Sequence, residues 1–292
     1  MYLFIIILIL ASLINSILCY SLPTPPITTH NGLYFKGGGI FFWWQSGFGK
    51  YLNENCNNEY NNIPLIGASA GSLTAALLAC NIDFNDSLDF VLKQAENERL
   101  YERKTLFLIW GKLIENWLDY LLPDELPLQA QKNLYIALTP LNVLRTGSRV
   151  ELVSNFNTKS DLKSALLASC HIPLFLNGKV YTKYKGHRYV DGSLWTFLSN
   201  DDERIRPLPT SLADMDVTYN DESIYKCDYT DDEEFQQIRN NMNFVSMATP
   251  NGLKEMMTCG YNYAKRQHES GLLFPSTTTT TSINLTNPTS SD

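Results

Sequence analysis

The sequence lacks an excess of positive charge, and this excludes one class of partner. Its 292 residues contain 23 Lys and Arg against 30 Asp and Glu, and the formal net charge is −7 with no basic stripe along the chain. Because proteins that bind nucleic acids neutralise phosphates with clustered Lys and Arg, a nucleic-acid partner is not expected. With 44% apolar and 18% charged residues, the composition also excludes a disordered or fibrous chain.

Patterns of metal ligands are also missing. The six cysteines form no Cys-x-x-Cys pair, and none of the four histidines stands at zinc-site spacing from them. A structural metal is therefore not expected. The acidic run at 231–234 lacks the spacing of a calcium loop and is interpreted as a solvated face.

Both ends of the chain are predicted to lie outside the folded unit. Residues 1–21 are mostly aliphatic and are interpreted as a signal peptide or an uncleaved N-terminal anchor, followed by a Pro-rich linker at 22–31. Cleavage would direct the chain to the secretory pathway as a lumenal or secreted protein, whereas an uncleaved segment would anchor it to a membrane. Residues 276–292 are rich in Ser and Thr and are expected to form a disordered tail.

Between these ends, short apolar runs alternate with helical patterns. Strands are predicted at residues 32–36, 63–67, 134–138, 150–153 and 189–190. Helical periodicity is found at residues 41–52, 70–80, 86–122, 158–169 and 254–268. This alternation favours an α/β fold, in which helices cover both faces of a mostly parallel central sheet.

Two regions of this folded part have further interpretations. The apolar face of residues 106–121 indicates either a helix packed into the core or an apolar lid that touches lipid. Residues 32–198 are interpreted as the main domain, and residues 199–275 as a partly acidic C-terminal extension that packs on it.

The strongest chemical signal is a serine between a predicted strand and a predicted helix. Gly67-Ala68-Ser69-Ala70-Gly71 matches Gly-x-Ser-x-Gly, a pattern that is weak alone but typical of a nucleophile elbow in this setting. Small residues on both sides allow a tight, strained turn that presents the hydroxyl. The alternative is a tight turn without a reactive role.

A nucleophilic serine also needs an oxyanion site. Gly37, Gly38 and Gly39 follow a strand and open a helix, so their amides are not obstructed by side chains. A dinucleotide-binding loop, Gly-x-Gly-x-x-Gly, is disfavoured because Phe42 stands at the position of its third glycine. A phosphate loop is disfavoured because no Lys-Ser or Lys-Thr pair follows these glycines. An oxyanion loop fits these residues better.

Two groups are candidates for the base. Ser69, Asp191 and His268 have the chain order of an α/β-hydrolase triad, but His268 ends a helical run where a cation simply favours the helix dipole. His171 and His187 are interpreted as structural or exposed. Asp191 precedes Gly192 at the end of a strand, where a carboxylate can be held rigidly against a hydroxyl.

With these residues in place, the chain resembles the patatin-like phospholipases, lipid acyl hydrolases that use a Ser-Asp dyad. The resemblance covers roughly Gly32 to Leu198 and consists of four elements in the family's order. They are Lys36-Gly37-Gly38-Gly39, Gly67-Ala68-Ser69-Ala70-Gly71, Ser169-Cys170-His171-Ile172-Pro173-Leu174-Phe175 and Tyr189-Val190-Asp191-Gly192-Ser193.

The resemblance implies a patatin-like three-layer fold and assigns roles to residues of this chain. It makes Ser69 the nucleophile, Asp191 the base, and the amides of the glycine loop through Ile40 the oxyanion hole, with Gly67 and Gly71 shaping the elbow. The reaction it implies needs no metal or cofactor. Its substrates would be phospholipids or acylglycerols at a membrane or lipid-droplet interface.

The chain departs from the family's pattern at two places. Ile40, Phe41 and Phe42 stand where the family usually has a residue such as Arg and another glycine, which implies different packing behind the loop. Ser193 replaces a Gly or Ala, and its hydroxyl could lower the basicity of Asp191 by hydrogen bonding.

The sequence therefore predicts a serine lipid acyl hydrolase, a carboxylic ester hydrolase that works through Ser69 and Asp191. A lipid acyltransferase with the same residues is one alternative, since an alcohol or lysolipid can replace water as the acceptor. A catalytically silent lipid-binding protein is another, motivated by the run Ile40-Phe41-Phe42.

Overall fold

A computed structural model describes residues 32–141, 150–194, 224–239 and 247–274. The predicted N-terminal segment at 1–21, the linker at 22–31 and the Ser/Thr-rich tail at 276–292 lie outside the described residues. Among the helices that the structure describes, none combines the length and apolarity needed to span a bilayer.

The centre of the fold is a sheet in which four adjacent strands run parallel. The strands are β1 (Gly32–Phe35), β2 (Leu65–Ala68), β3 (Leu134–Pro140), β4 (Glu151–Val153), β5 (Thr182–Tyr184), β6 (His187–Val190) and β7 (Ile224–Cys227). Their order is β5-β6-β3-β2-β1-β7, and β4 also pairs with β3. The strands β7, β1, β2 and β3 are mutually parallel, whereas β4, β5 and β6 pair antiparallel at one side.

Helices flank this sheet. They are α1 (Phe42–Asn55), α2 (Asn57–Tyr60), α3 (Ala70–Ala79), α4 (Phe84–Asn97), α5 (Trp110–Leu121), α6 (Leu128–Lys132), α7 (Lys159–Ser169), α8 (Glu233–Arg239) and α9 (Pro250–Glu269). Helix α3 packs against the three central strands β1 to β3, and α7 packs against β3. The predicted α/β class, with a mainly parallel sheet flanked by helices, is confirmed.

The central strands are apolar because both of their faces are covered. Every residue of β2 and β3 is buried, as expected for parallel strands between helical layers. The predicted helix that follows β1 is also present as α1, and its large side chains Trp44, Phe48 and Leu52 are almost completely buried. The core therefore lies on both sides of the strands that lead to Ser69.

The region 86–122, in which helical periodicity was found, forms two helices, α4 and α5. Leu106 and Ile109 precede α5 rather than belonging to it, because the chain between the helices forms a short 3-10 turn and a loop. Leu106, Leu113 and Trp117 are buried, so this apolar face contacts the interior.

The C-terminal part is joined to the sheet and to α1. Strand β7 adds to the free side of β1, and α9 packs closely along α1. The two helices approach at glycines: a Cβ on Gly47 would lie 1.8 Å from the Met257 carbonyl oxygen, and one on Gly260 would lie 1.8 Å from the Trp44 carbonyl oxygen. Only hydrogen at these positions permits this contact.

The interpretation of the acidic run at 231–234 as a solvated face is wrong for Asp232. Its carboxylate is buried and accepts hydrogen bonds from Trp44 Nε1 (2.7 Å) and Arg266 Nη2 (3.0 Å). Glu233 and Glu234 are exposed. A buried carboxylate needs such partners, and the partners lie far away in the sequence, on α1 and α9.

We expect Asp232→Ala to lower the free energy of unfolding by about 3 kcal/mol, because it leaves the buried Trp44 N–H without an acceptor and removes the buried carboxylate that pairs with the half-exposed Arg266. Urea denaturation followed by tryptophan fluorescence measures this change. Glu234→Ala is the matched control, since Glu234 also pairs with Arg266 (3.3 Å) but is half exposed. It should change stability by less than about 0.5 kcal/mol, and equal losses in both variants would contradict the assignment.

Candidate active site

Ser69 occupies the turn between β2 and α3 in a strained conformation. Its φ of 51° and ψ of −124° lie where residues with a side chain are rarely found. The turn is possible because its flanks carry no side chain: a Cβ on Gly67 would lie 2.4 Å from the Gly71 carbonyl oxygen, and one on Gly71 would lie 2.0 Å from that of Phe35. The two glycines thus let the elbow fold tightly against β1.

The pairing of β6 with β3 places Asp191 beside Ser69. Residue Val190 of β6 pairs with Thr139 near the end of β3, so the residue that follows β6 lies beside the carboxyl end of β2. The Ser69 hydroxyl donates a hydrogen bond of 2.6 Å to Asp191 Oδ2. Both residues are buried, with exposed fractions of 7% and 4%. The structure therefore brings together the two side chains that the sequence placed 122 positions apart.

Ser169, at the end of α7, joins the segments that carry these two residues. Its hydroxyl accepts a hydrogen bond from the Ser69 amide (2.9 Å) and donates one to the Ala137 carbonyl (2.8 Å). Its own carbonyl accepts from the Gly192 amide (2.8 Å). In the sequence, Ser169 stood out only as the first residue of a segment that resembles the family. Nothing there indicated that its hydroxyl would join Ser69 to β3.

The carboxyl of Asp191 has an unusual environment. Burial raises its pKa from 3.8 to about 6, although hydrogen bonds from Ser69 and Ser193 act in the opposite direction. The Ser193 amide donates to Oδ1 at 2.8 Å. A carboxylate with a pKa near 6 is a better proton acceptor than an ordinary Asp and is still ionised at neutral pH.

The glycine loop lies next to Ser69 and begins a helix. Gly39 has a φ of +54°, and it opens the 3-10 turn Gly39–Phe41 that leads directly into α1. Amides at a helix start have no acceptor within the helix, so those of Gly39 and Ile40 are available to a ligand. A Cβ on Gly37 would lie 1.8 Å from Ser193 Oγ and 3.3 Å from Ser69 Cβ. The loop thus touches both the elbow and the Asp191 turn.

The C-terminal part supports this loop. The Tyr229 hydroxyl donates to the Gly37 carbonyl (3.1 Å), and Lys36 Nζ donates to Asp228 Oδ2 (2.6 Å). Burial alone would raise the pKa of Asp228, but hydrogen bonds from Lys36 and Thr230 hold it below its usual value. No motif in the sequence indicated these contacts, because they depend on the pairing of β7 with β1.

An apolar pocket that is open to the surface includes Ser69 in its lining. Its lining is almost entirely apolar or aromatic, apart from Ser69 and Gln94. The lining residues are Gly39, Ile40, Phe42, Trp43, Ser69, Ala70, Leu73, Val91, Gln94, Leu100, Trp110, Leu113, Ile114, Trp117, Cys170, Ile172 and Met247. The apolar face of α5 thus forms one wall, and the shape and chemistry suit a hydrocarbon chain.

The three histidines in the described part of the chain make their contacts away from the Ser69 hydroxyl. His268 Nδ1 is 3.0 Å from the Tyr51 hydroxyl and 3.5 Å from Cys56 Sγ, so the structure does not bring it to Ser69. His171 is buried beside the Lys179 carbonyl (3.2 Å), and burial lowers its pKa. His187 is exposed. The geometry pairs Ser69 with a carboxylate rather than with an imidazole.

The two departures from the family's pattern are accommodated locally. Ile40, Phe41 and Phe42 are all buried, and the Phe41 ring packs edge-on against Tyr229 and Phe235 from the C-terminal part. Aromatic packing therefore fills the space behind the loop. Ser193 donates its backbone amide to Asp191 Oδ1.

An α/β sheet whose strand-to-helix elbow carries a strained serine bonded to a buried carboxylate defines a protein of the nucleophile-elbow class. The sequence model of the family described as patatin-like phospholipase matches residues 33–202, more than half of the 292 residues. The chain therefore belongs to the patatin-like phospholipase family. Members of this family are lipid hydrolases or acyltransferases.

The chain is similar to several named proteins, of which the first two below are named acyl-transferring enzymes. The chain is 30% identical to 1-acylglycerol-3-phosphate O-acyltransferase Pnpla3 of Mus musculus, over 56% of this chain and 39% of that protein. It is 28% identical to the omega-hydroxyceramide transacylase of Mus musculus, over 65% of this chain and 34% of that protein. It is 31% identical to patatin-like phospholipase domain-containing protein 4 of Homo sapiens, over 44% of this chain and 50% of that protein.

The chain thus spans half or less of the length of these relatives. Among solved structures, VipD from Legionella pneumophila matches 83% of this chain and 67% of its own, with a TM-score of 0.49 and 12% sequence identity.

We expect Ser169→Ala to lower the free energy of unfolding by about 2 kcal/mol, since it leaves the buried Ser69 amide and Ala137 carbonyl without a partner. Chemical denaturation measures the loss. Ser164→Ala is the control on the same helix, because the exposed Ser164 hydroxyl bonds only to the Ser160 carbonyl one turn earlier (2.7 Å). Its effect should stay within about 0.5 kcal/mol.

The raised pKa of Asp191 predicts that replacing it with Asn stabilises the fold by an amount that depends on pH. Because the folded state holds this proton more tightly than the unfolded state, ionisation of Asp191 destabilises the fold as pH rises from its unfolded pKa of 3.8 to about 6. The stability of Asp191→Asn relative to wild type should therefore increase by about 2 kcal/mol between about pH 4 and about pH 7. Thermal denaturation across this range measures it.

Asp228→Asn provides a control of opposite sign. The folded pKa of Asp228 is lowered, so its ionised form stabilises the fold at neutral pH and this contribution is lost in acid. Relative to wild type, this variant should lose stability near neutral pH and approach wild type as pH falls. A stability difference for Asp191→Asn that does not vary with pH would contradict the environment described for Asp191.

Proposed function

We propose that this protein is a serine lipid acyl hydrolase in which Ser69 and Asp191 form a catalytic dyad. One observation carries the proposal: the buried hydrogen bond of 2.6 Å between the Ser69 hydroxyl and Asp191 Oδ2, at the end of an apolar pocket. A serine hydroxyl is a weak nucleophile until a base accepts its proton. Asp191 is in direct contact with that proton.

The proposed reaction is a two-step acyl transfer. Ser69 Oγ attacks the ester carbonyl of a lipid and passes its proton to Asp191, which then protonates the leaving alcohol as the ester C–O bond breaks. Asp191 next takes a proton from water as the water oxygen attacks the acyl-enzyme carbonyl. It returns that proton to Ser69 Oγ when the acyl C–O bond breaks, which releases a fatty acid and the free serine. A pKa near 6 suits both transfers, since the same group must accept and then return the proton near neutral pH.

The oxyanion of each tetrahedral intermediate would bind at the helix start beside Ser69. The amides of Gly38, Gly39 and Ile40 are the candidate donors, supported by the positive end of the α1 dipole. Removal of one such donor typically raises a barrier by about 3 kcal/mol. The contact of Tyr229 with the Gly37 carbonyl holds the loop in place for this task.

The acyl chain would occupy the apolar pocket. Trp110, Leu113, Ile114 and Trp117 of α5 line it along one side, and Cys170 and Ile172 lie near the dyad. Such a lining favours the fatty-acyl part of an ester, which supports phospholipids or acylglycerols as substrates over small polar esters.

A lipid acyltransferase is the second candidate, and the names of two relatives favour it. Those relatives are an O-acyltransferase and a transacylase. In this reaction, a lipid alcohol would attack the acyl-enzyme in place of water, with Asp191 accepting its proton. The dyad and the glycine loop would serve unchanged, so the acceptor alone distinguishes the two functions.

We expect Ser69→Ala and Asp191→Asn each to reduce kcat/KM on phosphatidylcholine vesicles and on a soluble short-chain ester by at least about a thousandfold, because each removes a reacting group. The wild-type kcat/KM should fall below about pH 6, where Asp191 is protonated. Product analysis with and without an added lysolipid acceptor separates hydrolysis from acyl transfer.

His268→Ala is the control, since His268 lies beside Tyr51 and Cys56. It should keep at least half of the wild-type kcat/KM. A folded but inactive His268→Ala variant would contradict the dyad. If the wild-type protein turns over neither substrate and forms no fluorophosphonate adduct on Ser69, a silent lipid-binding protein is the better interpretation.

A further inference from the structure

Exposed apolar side chains are concentrated in two loops beside the pocket. Of the eight large apolar side chains that are exposed in the described part of the chain, four belong to the loops 99–108 and 174–180. They are Tyr101 (37%), Phe107 (46%), Leu108 (51%) and Val180 (54%). Soluble proteins seldom group such side chains without a binding role.

The two loops are joined to each other at their tips. The Leu108 amide donates to the Phe175 carbonyl (2.8 Å), and the Phe107 and Phe175 rings lie edge to face with centroids 5.9 Å apart. The Leu174 amide donates to the Lys179 carbonyl (2.8 Å) and closes the second loop next to Val180. Phe107, Leu108, Phe175 and Val180 are called the apolar tip below.

The backbone at the tip is held in a costly conformation. Leu108 and Leu174 have φ values of 70° and 66°, in the left-handed region that favours glycine. Leu108 is also 51% exposed, whereas Leu174 is half-buried. The strained and exposed Leu108 is therefore better explained by a contact that the free protein does not make.

The tip lies close in the chain to residues that line the pocket at Ser69. Leu100 belongs to the first loop, Trp110 follows that loop by two residues and Ile172 precedes the second loop by two, and all three line the pocket. Docking of the tip on a bilayer would therefore bring the pocket close to the lipid.

Charge around the tip is opposite to that of the whole chain. The loops 99–108 and 174–180, with Glu98 directly before the first, contain four cations, Arg99, Arg103, Lys104 and Lys179, and two anions, Glu98 and Glu102, a net charge of +2 in a chain of net charge −7. All four cations are exposed. Exposed cations beside protruding apolar residues match a bilayer surface that carries anionic lipids.

We propose that the apolar tip and its flanking cations form a docking surface for membranes that contain anionic phospholipids, and that docking places the pocket mouth against the bilayer. The inference rests on the proposed function, because a lipid acyl hydrolase must meet its substrate at an interface. The apolar side chains enter the acyl boundary, and Arg103, Lys104 and Lys179 contact lipid phosphates and carboxylates.

Vesicle co-sedimentation of the Ser69→Ala protein tests the docking surface without turnover. Binding should be at least about tenfold stronger to vesicles of phosphatidylcholine with phosphatidylserine than to phosphatidylcholine alone, and salt should weaken it. Adding Phe107→Ser and Leu108→Ser should reduce binding to both vesicles by at least about tenfold. Adding Arg103→Glu and Lys104→Glu should reduce binding mainly to the anionic vesicles.

Matched controls lie at the amino ends of the parallel strands, opposite the end that carries Ser69. Leu128 (62% exposed) and the exposed Lys132 belong to α6, which directly precedes the start of β3, whereas Ser69 follows the end of the parallel strand β2. Leu128→Ser and Lys132→Glu should leave vesicle binding within about twofold of the parent. Equal losses in tip and control variants, or a parent protein that does not prefer anionic vesicles, would overturn the proposal.

The soluble short-chain ester separates this proposal from the proposed function. With Ser69 present, the Phe107→Ser and Leu108→Ser variant should hydrolyse that ester at the wild-type rate while losing activity on anionic vesicles. If wild type has no esterase activity but binds vesicles through the tip, the proposed function fails and the docking surface stands. If the tip variants lose self-association rather than vesicle binding, the surface joins two copies of the chain and the membrane assignment is wrong.

Discussion

The structure of the site depends on the hydrogen bonds of one buried serine, Ser169. Its hydroxyl holds the strained Ser69 amide and the Ala137 carbonyl, and its carbonyl holds the Gly192 amide. The elbow, the middle of the sheet and the carboxylate turn are thus all joined through this one residue. These bonds support the strained backbone of Ser69 and its short contact with Asp191.

Burial gives the hydrogen-bonded pair of Ser69 and Asp191 its chemical character, and it depends on the structure around the pair. The pKa of Asp191 is raised mainly because the carboxyl is withdrawn from water. The glycine loop lies against the turn that carries this carboxyl. Residues outside the segment matched by the family, at 33–202, contact the loop and support it. Tyr229 and Asp228 supply that support, and the buried contact of Asp232 with Trp44 ties the same C-terminal part to α1. The C-terminal part therefore stabilises the site as well as the fold.

The pocket at Ser69 opens to the surface of the molecule. Helix α5 contributes an apolar wall, and Leu100 and Ile172, from the segments before α5 and after α7, also line the pocket. The segments that line the pocket thus also carry the exposed tip. In a family that contains both hydrolases and acyltransferases, the access of water or of a lipid alcohol to Ser69 would decide which product forms.

The sequence by itself determined the α/β class and the elbow at Ser69, because a Gly-x-Ser-x-Gly turn between a strand and a helix needs small residues. Local patterns left Asp191 and His268 as candidates for the base, and the family resemblance selected Asp191. The sequence did not determine the role of Ser169, the burial of Asp232 or the support from Tyr229. Only the tertiary structure decided these, because each depends on strand pairing or helix contact between residues 32 to 192 positions apart. Polar residues look alike in a sequence, and only the fold decides which of them loses its water and gains a partner.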